Sequence, residues 1–330
     1  MRTFDFRHAT SVDDAIRTVT DTGGEYLAGG TNLVDLMKGG VLAPPALVDV
    51  RRLGLAGVTA TDVGGVRIGS GVTNSALANH PLIRSQYPVL SQAILSGATT
   101  QLRNMATVGG NLLQRTRCPY FMQTEFGRCN KRVPGSGCAA RKGFNREHAL
   151  FGASDACVAI NPSDMAVALA VLDAVVHVQG PGGARAIPFA EFFTLPGDSP
   201  QLENGLLPAE LIVAIELPPS PYAACSWYLK LRDRHSYAFA LVSVAVGVEL
   251  TDGVISSASV ALGGVAAKPW RVPAVEQILI GGRPEDSVLR AAAQEAMSGA
   301  RPLSQNAFKV PLGRSAVHRA LARALGEARP

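Results

Sequence analysis

Four thiols, Cys118, Cys129, Cys138 and Cys157, fall within one 40-residue stretch of a 330-residue chain that contains only five cysteines. Four thiolates can hold a zinc ion or an iron–sulfur cluster, and four thiols can pair as disulfides. The spacing is C-x10-C, C-x8-C and C-x18-C. It contains no C-x2-C knuckle, which disfavours a zinc ribbon. Disulfides need an oxidising compartment, and the opening MRTFDFRHATSVDD has no apolar signal segment. A [4Fe–4S] cluster accepts four cysteines from loops of varied spacing. Spacing alone leaves these three chemistries open. The fifth cysteine, Cys225, stands apart beside Trp227 and reads as an ordinary buried thiol.

The charge of the chain is concentrated at the same place. Net charge is +5, yet Arg115 to Glu147 alone holds eight bases against two acids, Glu125 and Glu147. A cluster counted with its thiolates is negative, so these bases are expected to offset it and favour thiolate over thiol. Nucleic acid is not an expected partner, because neither an aromatic RNA-binding motif nor a DNA-reading helix accompanies the bases. No apolar run reaches the roughly 18 residues of a membrane span. By its own sequence the chain is expected in the cytoplasm; a signal-bearing partner could carry it to the periplasm.

Two glycine loops offer a second chemistry. Ala28-Gly29-Gly30-Thr31-Asn32-Leu33 follows a short strand and opens a helix, and Thr107-Val108-Gly109-Gly110-Asn111-Leu112 repeats the device some 80 residues later. Glycine lets backbone come close to a ligand, and successive N–H groups suit an anion. Two such loops suit the two phosphates of a pyrophosphate. The Rossmann G-x-G-x-x-G and the P-loop pattern are both absent. The six histidines form no H-E-x-x-H or His-Cys spacing, and no G-x-S-x-G elbow or paired carboxylate is found. The chain has no catalytic acid–base centre of its own, which fits a redox relay.

These groups sit on a legible framework. Ser11 caps a helix with Ala15, Ile16 and Val19 on its apolar face, stopped at Gly23-Gly24. Strands are expected at 25–28 and 46–50, and a hairpin around Gly64-Gly65 over 57–72. Residues 74–96 read as helical, broken at Pro81 and Pro88. An irregular insert runs from about 113 to 160, rich in glycine and proline. Asn161-Pro-Ser-Asp164 caps an apolar helix from Met165 to Asp173, and a hairpin follows around Pro181-Gly-Gly183. Glu210 to Leu217 is a strand, and Pro218-Pro219 mark a boundary. Long strands at 239–250 and 254–263 flank Thr251-Asp-Gly253, and helices follow within 285–298 and 315–327.

In this order Gly29-Gly30-Thr31-Asn32, Thr107 to Asn111, Asn161-Pro-Ser-Asp164, Glu210 to Leu217, Tyr228-Leu-Lys-Leu-Arg232 and Gly263 to Arg271 resemble the FAD-binding medium subunits of the xanthine dehydrogenase and carbon monoxide dehydrogenase family, the molybdenum hydroxylases. The likeness covers nearly the whole chain. Leu112 to Tyr120, Cys129-Asn-Lys-Arg132 and Pro134-Gly-Ser-Gly-Cys138 are similar to an aldehyde-oxidising branch whose flavin subunit carries an extra [4Fe–4S] cluster in this insert.

The resemblance implies an α+β chain. Residues 1–54 and 55–220 would form an FAD-binding fold of the vanillyl-alcohol oxidase (PCMH) type, interrupted by the iron–sulfur insert at about 113–160. Residues 221–330 would form a C-terminal domain of antiparallel sheet plus helices. Leu27, Ala28, Gly29, Gly30, Thr31, Asn32 and Leu33 would hold the FAD pyrophosphate from one side, and Thr107, Gly109, Gly110 and Asn111 from the other. Asp164 would hydrogen-bond on the FAD side, Leu211 and Ile212 would pack on the isoalloxazine, and Lys230 would approach it. Cys118, Cys129, Cys138 and Cys157 would ligate the [4Fe–4S] cluster, either as part of the relay or as a staple. A large partner with a molybdopterin cofactor would oxidise an aldehyde to an acid, and a small partner with two [2Fe–2S] clusters would pass electrons to FAD. A reductive relative acting on 4-hydroxybenzoyl-CoA, an N-heterocycle hydroxylase and a free-standing flavin oxidase are the alternatives. Cys129→Ser is expected to lose the cluster and keep FAD, and Gly110→Val to empty the FAD site.

Overall fold

Three sheets divide the strands, and the burial pattern of each strand explains its place. The structure, a computed structural model, describes residues 1–326. The first sheet is parallel, in the order β1 (Asp5–His8), β3 (Ala46–Asp49), β2 (Glu25–Leu27). All four residues of the central β3 are buried, as a strand covered on both faces requires. The edge strand β1 is exposed throughout and has no alternating pattern, so its pairing is invisible in sequence. Helix Val12–Thr22 starts as expected, with the Ser11 side chain accepting from the Asp14 N–H. It ends where Gly23 takes the left-handed conformation, φ +62°.

The second sheet has the order β4 (Val58–Ala60), β5 (Val66–Gly69), β8 (Leu211–Leu217), β6 (Val175–Gly180), β7 (Gly183–Pro188), with every pair antiparallel. The helical stretch is broken at Pro81 and Pro88 as expected; each begins its own helix, Pro81–Gln86 and Pro88–Ser96, at the first position where a missing N–H costs nothing. Helix Asp164–Val171 is buried almost all round, because it lies between this sheet and the third.

The third sheet is an antiparallel meander, β12 (Trp270–Arg271), β11 (Val254–Gly263), β10 (Val242–Thr251), β9 (Ser226–Leu231). Asp252 and Gly253 both have positive φ, as the tight hairpin joining β10 to β11 demands. Val242, Val244, Val246 and Val248 face helices Pro273–Leu279, Asp286–Glu295 and Lys309–Ala324. Ala245 and Ala261, on the opposite face, belong to the main core with helix Asp164–Val171. The last helix begins six residues earlier than its apolar stripe suggests; Pro311 sits in its first turn, where no intrahelical donor is needed. Among the described residues no helix is long and apolar enough to cross a membrane.

The insert is irregular, as expected, apart from helix Pro119–Met122 and a single 3-10 turn at Ala139–Arg141. It is wedged between the glycine-loop region and the C-terminal helices. On one side Phe121, Cys129, Cys118 and Met122 pack against Leu36 of helix Leu33–Lys38. On the other, Asn306 Nδ2 donates to the His148 and Ala149 carbonyls, and Lys309 Nζ donates to those of Glu147, His148 and Gly264.

Candidate functional site

Strand β8 carries both glycine loops. Tyr26, on the strand that leads into the first loop, donates its hydroxyl to the Ala209 carbonyl (2.7 Å) just before β8. Ser70 relays to the second loop: its N–H bonds the Val213 carbonyl (3.0 Å) and its own carbonyl accepts from Gly109 (2.9 Å). The loops also touch each other. A Cβ on Gly29 would collide with the Met105 carbonyl and crowd Ala106, the residues that enter the second loop. Asn32 Oδ1 accepts the Arg115 N–H at 3.0 Å.

The two loops treat their amides differently. No protein acceptor lies within reach of the N–H groups of Gly29, Gly30, Thr31, Asn32 or Leu33 among the described residues. Gly30 has φ +70°, the left-handed conformation that a nest of converging amides uses. The Asn32 Nδ2 group is also buried and unpaired. Such a set of donors fits a phosphate. In the second loop Val108, Gly109, Gly110 and Asn111 spend their N–H groups inside the protein, on the Val72 carbonyl, the Ser70 carbonyl, the Thr107 hydroxyl and the Thr107 carbonyl. Its contribution to a ligand is therefore shape and the open face over Gly110, where a Cβ would meet only Thr107 Oγ1 at 3.1 Å.

A polar chain runs on from the second loop. Asn111 Oδ1 accepts from Gln114 Nε2 (2.9 Å) and from the Ser163 hydroxyl (2.7 Å). Ser163, rather than Asp164, is the helix cap, accepting the Ala166 N–H. That frees the Asp164 carboxylate, which accepts from the Tyr228 hydroxyl (2.6 Å) and from Lys230 Nζ (2.8 Å). Lys230 and Asp164 are an ion pair with side chains only 3% and 9% exposed. The burial of Tyr228 and the negative charge of Asp164 push the phenol well above its usual range. Leu211 packs with Ala15, Val19 and Val48 under the first sheet, while Ile212 belongs to the main core.

The four cysteines lie in the insert, and all are free. Cys129 and Cys138 face each other across an isolated antiparallel bridge. Cys129 shares a core cluster with Cys118; Cys157 and Cys129 act on Cys118 through space, and Cys138 and Cys129 act on Cys157. Burial pushes the Cys118 thiol up to about 12 and also raises Cys157. Left alone these are thiols; a bound metal's charge is what would make them thiolates. Among the described residues no three His, Cys, Asp or Glu side chains close on a single metal ion. His148 Nε2 lies 3.2 Å from the Cys118 sulfur, and the Phe121 N–H donates to the Cys118 carbonyl at 2.9 Å. Cys157 Sγ accepts the Ala159 N–H at 3.4 Å.

Two expectations need correction here. The bases of the insert are mostly not a free positive field. Arg115 and Lys131 pair with Glu203, Arg117 with Asp35, Arg141 with Asp155 and Arg146 with Asp233. Arg132 is spent on the carbonyls of Tyr120, Phe121 and Gln123. Acids from outside the charge-dense stretch neutralise it, and of the eight only Lys131 has a recorded effect on a cysteine, lowering the Cys157 thiol against its burial. Nor are the histidines all remote from the cysteines. His148 is buried against Cys118, and burial, then the charge of Lys309, pulls its imidazole down to about 4. No spacing rule could find it, because 30 residues of irregular loop separate the two.

The fold, a nest of free amides on a parallel-sheet loop and a second glycine loop hung from a shared strand define a flavin-subunit class. The profile of the FAD binding domain in molybdopterin dehydrogenase matches residues 2–220, and that of the CO dehydrogenase flavoprotein C-terminal domain matches residues 227–328. The chain belongs to this family, the FAD-binding medium subunits of the molybdenum hydroxylases, which are oxidoreductases. It is 49% identical, over 100% of its length and 99% of the relative's, to the aldehyde oxidoreductase FAD-binding subunit PaoB of Escherichia coli (strain K12). It is 25% identical to the glyceraldehyde dehydrogenase medium chain of Sulfolobus acidocaldarius, over 92% of this chain and 90% of that protein. Its fold is that of a reconstituted CO dehydrogenase from Oligotropha carboxidovorans, with TM-score 0.77, 24% identity and 99% of both chains covered.

Proposed function

We propose that this chain is the flavin and [4Fe–4S] subunit of a heterotrimeric aldehyde oxidoreductase. A large subunit with a molybdopterin cofactor would oxidise an aldehyde to a carboxylic acid. A small subunit with two [2Fe–2S] clusters would pass the electrons to FAD held here, for delivery to an external acceptor. The observation that carries the flavin part is the run of five unpaired amides from Gly29 to Leu33, on a turn with no room for a side chain at Gly29. The aldehyde part rests on the 49% identity to PaoB over the full chain.

When bound, FAD supplies a carrier that takes two electrons and exchanges them singly with iron–sulfur centres. The residues of this chain bind and orient it. Gly29 to Leu33 would cradle the pyrophosphate with backbone donors, and Thr107, Gly109, Gly110 and Asn111 would form the wall opposite. Ser163 and Asn111 tie that wall to Asp164, whose pairing with Tyr228 and Lys230 holds a fixed cation beside the site. Leu211 and Ile212 point to opposite faces of β8 into separate cores, so the expectation that both pack on the isoalloxazine is not kept. Cys118, Cys129, Cys138 and Cys157 would hold the cluster, a role supported by their place in one insert, with Cys129 and Cys138 opposite each other across a bridge.

The test is an absorption spectrum of the purified complex, with flavin, iron and sulfide counted and turnover measured on aldehydes and acyl-CoA esters. The expected result is one flavin, iron and sulfide for one [4Fe–4S] and two [2Fe–2S] clusters, and oxidation of aldehydes only. A colourless chain, zinc in place of iron, or reduction of the thioester would each overturn part of the assignment.

A further inference from the structure

We propose that a cleft walled by Phe189, Phe193, Leu195 and Trp270, with Lys268 on its lining, binds a small aromatic carboxylate. No glycine-loop residue and no cysteine lines it, so the site depends on neither the flavin nor the cluster reading.

The cleft has a volume of about 280 Å³. An apolar cavity of roughly 150 Å³ is enough to take up benzene. A single ring carrying a carboxylate therefore fits. The cleft also lies at a junction. Phe189, Phe193 and Leu195 belong to the part matched by the FAD-binding profile, and Lys268 and Trp270 to the part matched by the C-terminal profile. Small-molecule sites favour such junctions.

Its aromatic walls are held in place from behind. Phe189 and Phe193 are only 4% and 6% exposed and meet edge to face, with centroids 5.7 Å apart and planes at 81°. Trp270 stacks on Phe151 of the insert at 5.1 Å and 12°. One face of the indole is thus covered, and the rest of it lines the cleft. Gly152 makes this possible, since a Cβ there would run into Leu195 and crowd Trp270. Fixed aromatic faces and edges suit a flat ligand.

The charges decide what head group the ring should carry. Arg271 lines the cleft but is spent: it donates to the Ala170 carbonyl and the Asp173 carboxylate, both at 2.8 Å, and pairs with Glu276. Asp173, the one acid on the lining, is turned to Arg271 and its side chain is 68% exposed to water. Lys268 is half-buried and makes no ion pair or hydrogen bond among the described residues. One free ammonium beside apolar walls matches a monoanion with a flat apolar body. A phosphate would need a second free base, and the cleft has none.

The experiment titrates the purified full-length protein, in the complex in which it is isolated, with benzoate, benzamide and acetate by isothermal calorimetry. Benzoate is expected to bind about tenfold or more tighter than either, because benzamide lacks the charge and acetate lacks the ring. Lys268→Met is expected to bring benzoate down to the affinity of benzamide. Ala190→Phe, at an exposed position on the lining, puts a ring into the cleft and is expected to abolish binding of both aromatic compounds. Absence of benzoate binding, equal affinity for benzoate and benzamide, or native benzoate affinity in either variant overturns the proposal. Benzoate held by a partner chain would be indifferent to both changes and would overturn it in the same way. If Ala190→Phe lowers the melting temperature, Lys268→Met alone decides: loss of the preference for benzoate supports the site, and its retention overturns it.

Discussion

The two glycine loops look alike in sequence and are built to opposite specifications. The first leaves five consecutive amides unpaired and hangs from a thin parallel sheet. The second has used its amides to bolt itself to Ser70, Val72 and Thr107, and its Val108 and Leu112 are part of the main core. The helix after the first loop, by contrast, borrows its buried face from the insert, where Leu36 meets Phe121 and Cys129. Similar Gly-Gly-Asn or Gly-Gly-Thr-Asn strings thus do not imply equal roles. One loop is a donor cradle propped by the cysteine region; the other is a rigid wall propped by the core.

The variant with the largest expected effect is Gly29→Val. Its Cβ would be driven into the Met105 carbonyl, so flavin per polypeptide in the purified complex should fall more than tenfold, about 1.4 kcal/mol or more in binding. Near-native flavin would mean the first loop is not the cradle. Next is Cys129→Ser. Sequence alone suggests that flavin survives loss of the cluster, but the shared packing with Leu36 predicts a partial loss of flavin as well as of iron. Retention of every flavin would show the insert and the first loop to be independent.

Gly110→Ala should be milder, since its Cβ meets only Thr107 Oγ1; flavin affinity is expected to drop by less than tenfold, measured by release during gel filtration. A loss as great as that of Gly29→Val would erase the distinction between the loops. The remaining prediction concerns folding stability rather than flavin, and its variable is pH. Burial pulls the Lys309 ammonium from 10.5 down to about 7. The unfolded chain therefore binds more protons than the folded one between those values, and folding stability should rise as pH goes from 7 to 10. The rise should be reduced in Lys309→Met, which can be read as melting temperature against pH for both complexes.

Local features were legible and long-range ones were not. The Ser11 cap, the Gly23 stop, the Asp252-Gly253 turn and both glycine loops depend on neighbours in the chain, so residue type alone reveals them. The cap of the helix at 164 was misplaced by one residue because Ser163 and Asp164 are both good caps; only the Tyr228 and Lys230 side chains, 64 and 66 positions away, show which one is free. Strand β1 escaped notice because an exposed parallel edge has no hydrophobic period. The pairing of Arg115 and Lys131 with Glu203, and of His148 with Cys118, joins segments that no periodicity connects. The grouping of four thiols in one insert is visible in composition, while the contact of His148 with Cys118 came only with the fold.

The bonds from Asn306 and Lys309 to the backbone around His148 span 157 to 162 positions. The walls of the cysteine loop are thus completed by residues far along the chain. The cysteine loop therefore takes its final shape only once helix Lys309–Ala324 has docked, so the form of the insert depends on the folding of the C-terminal region.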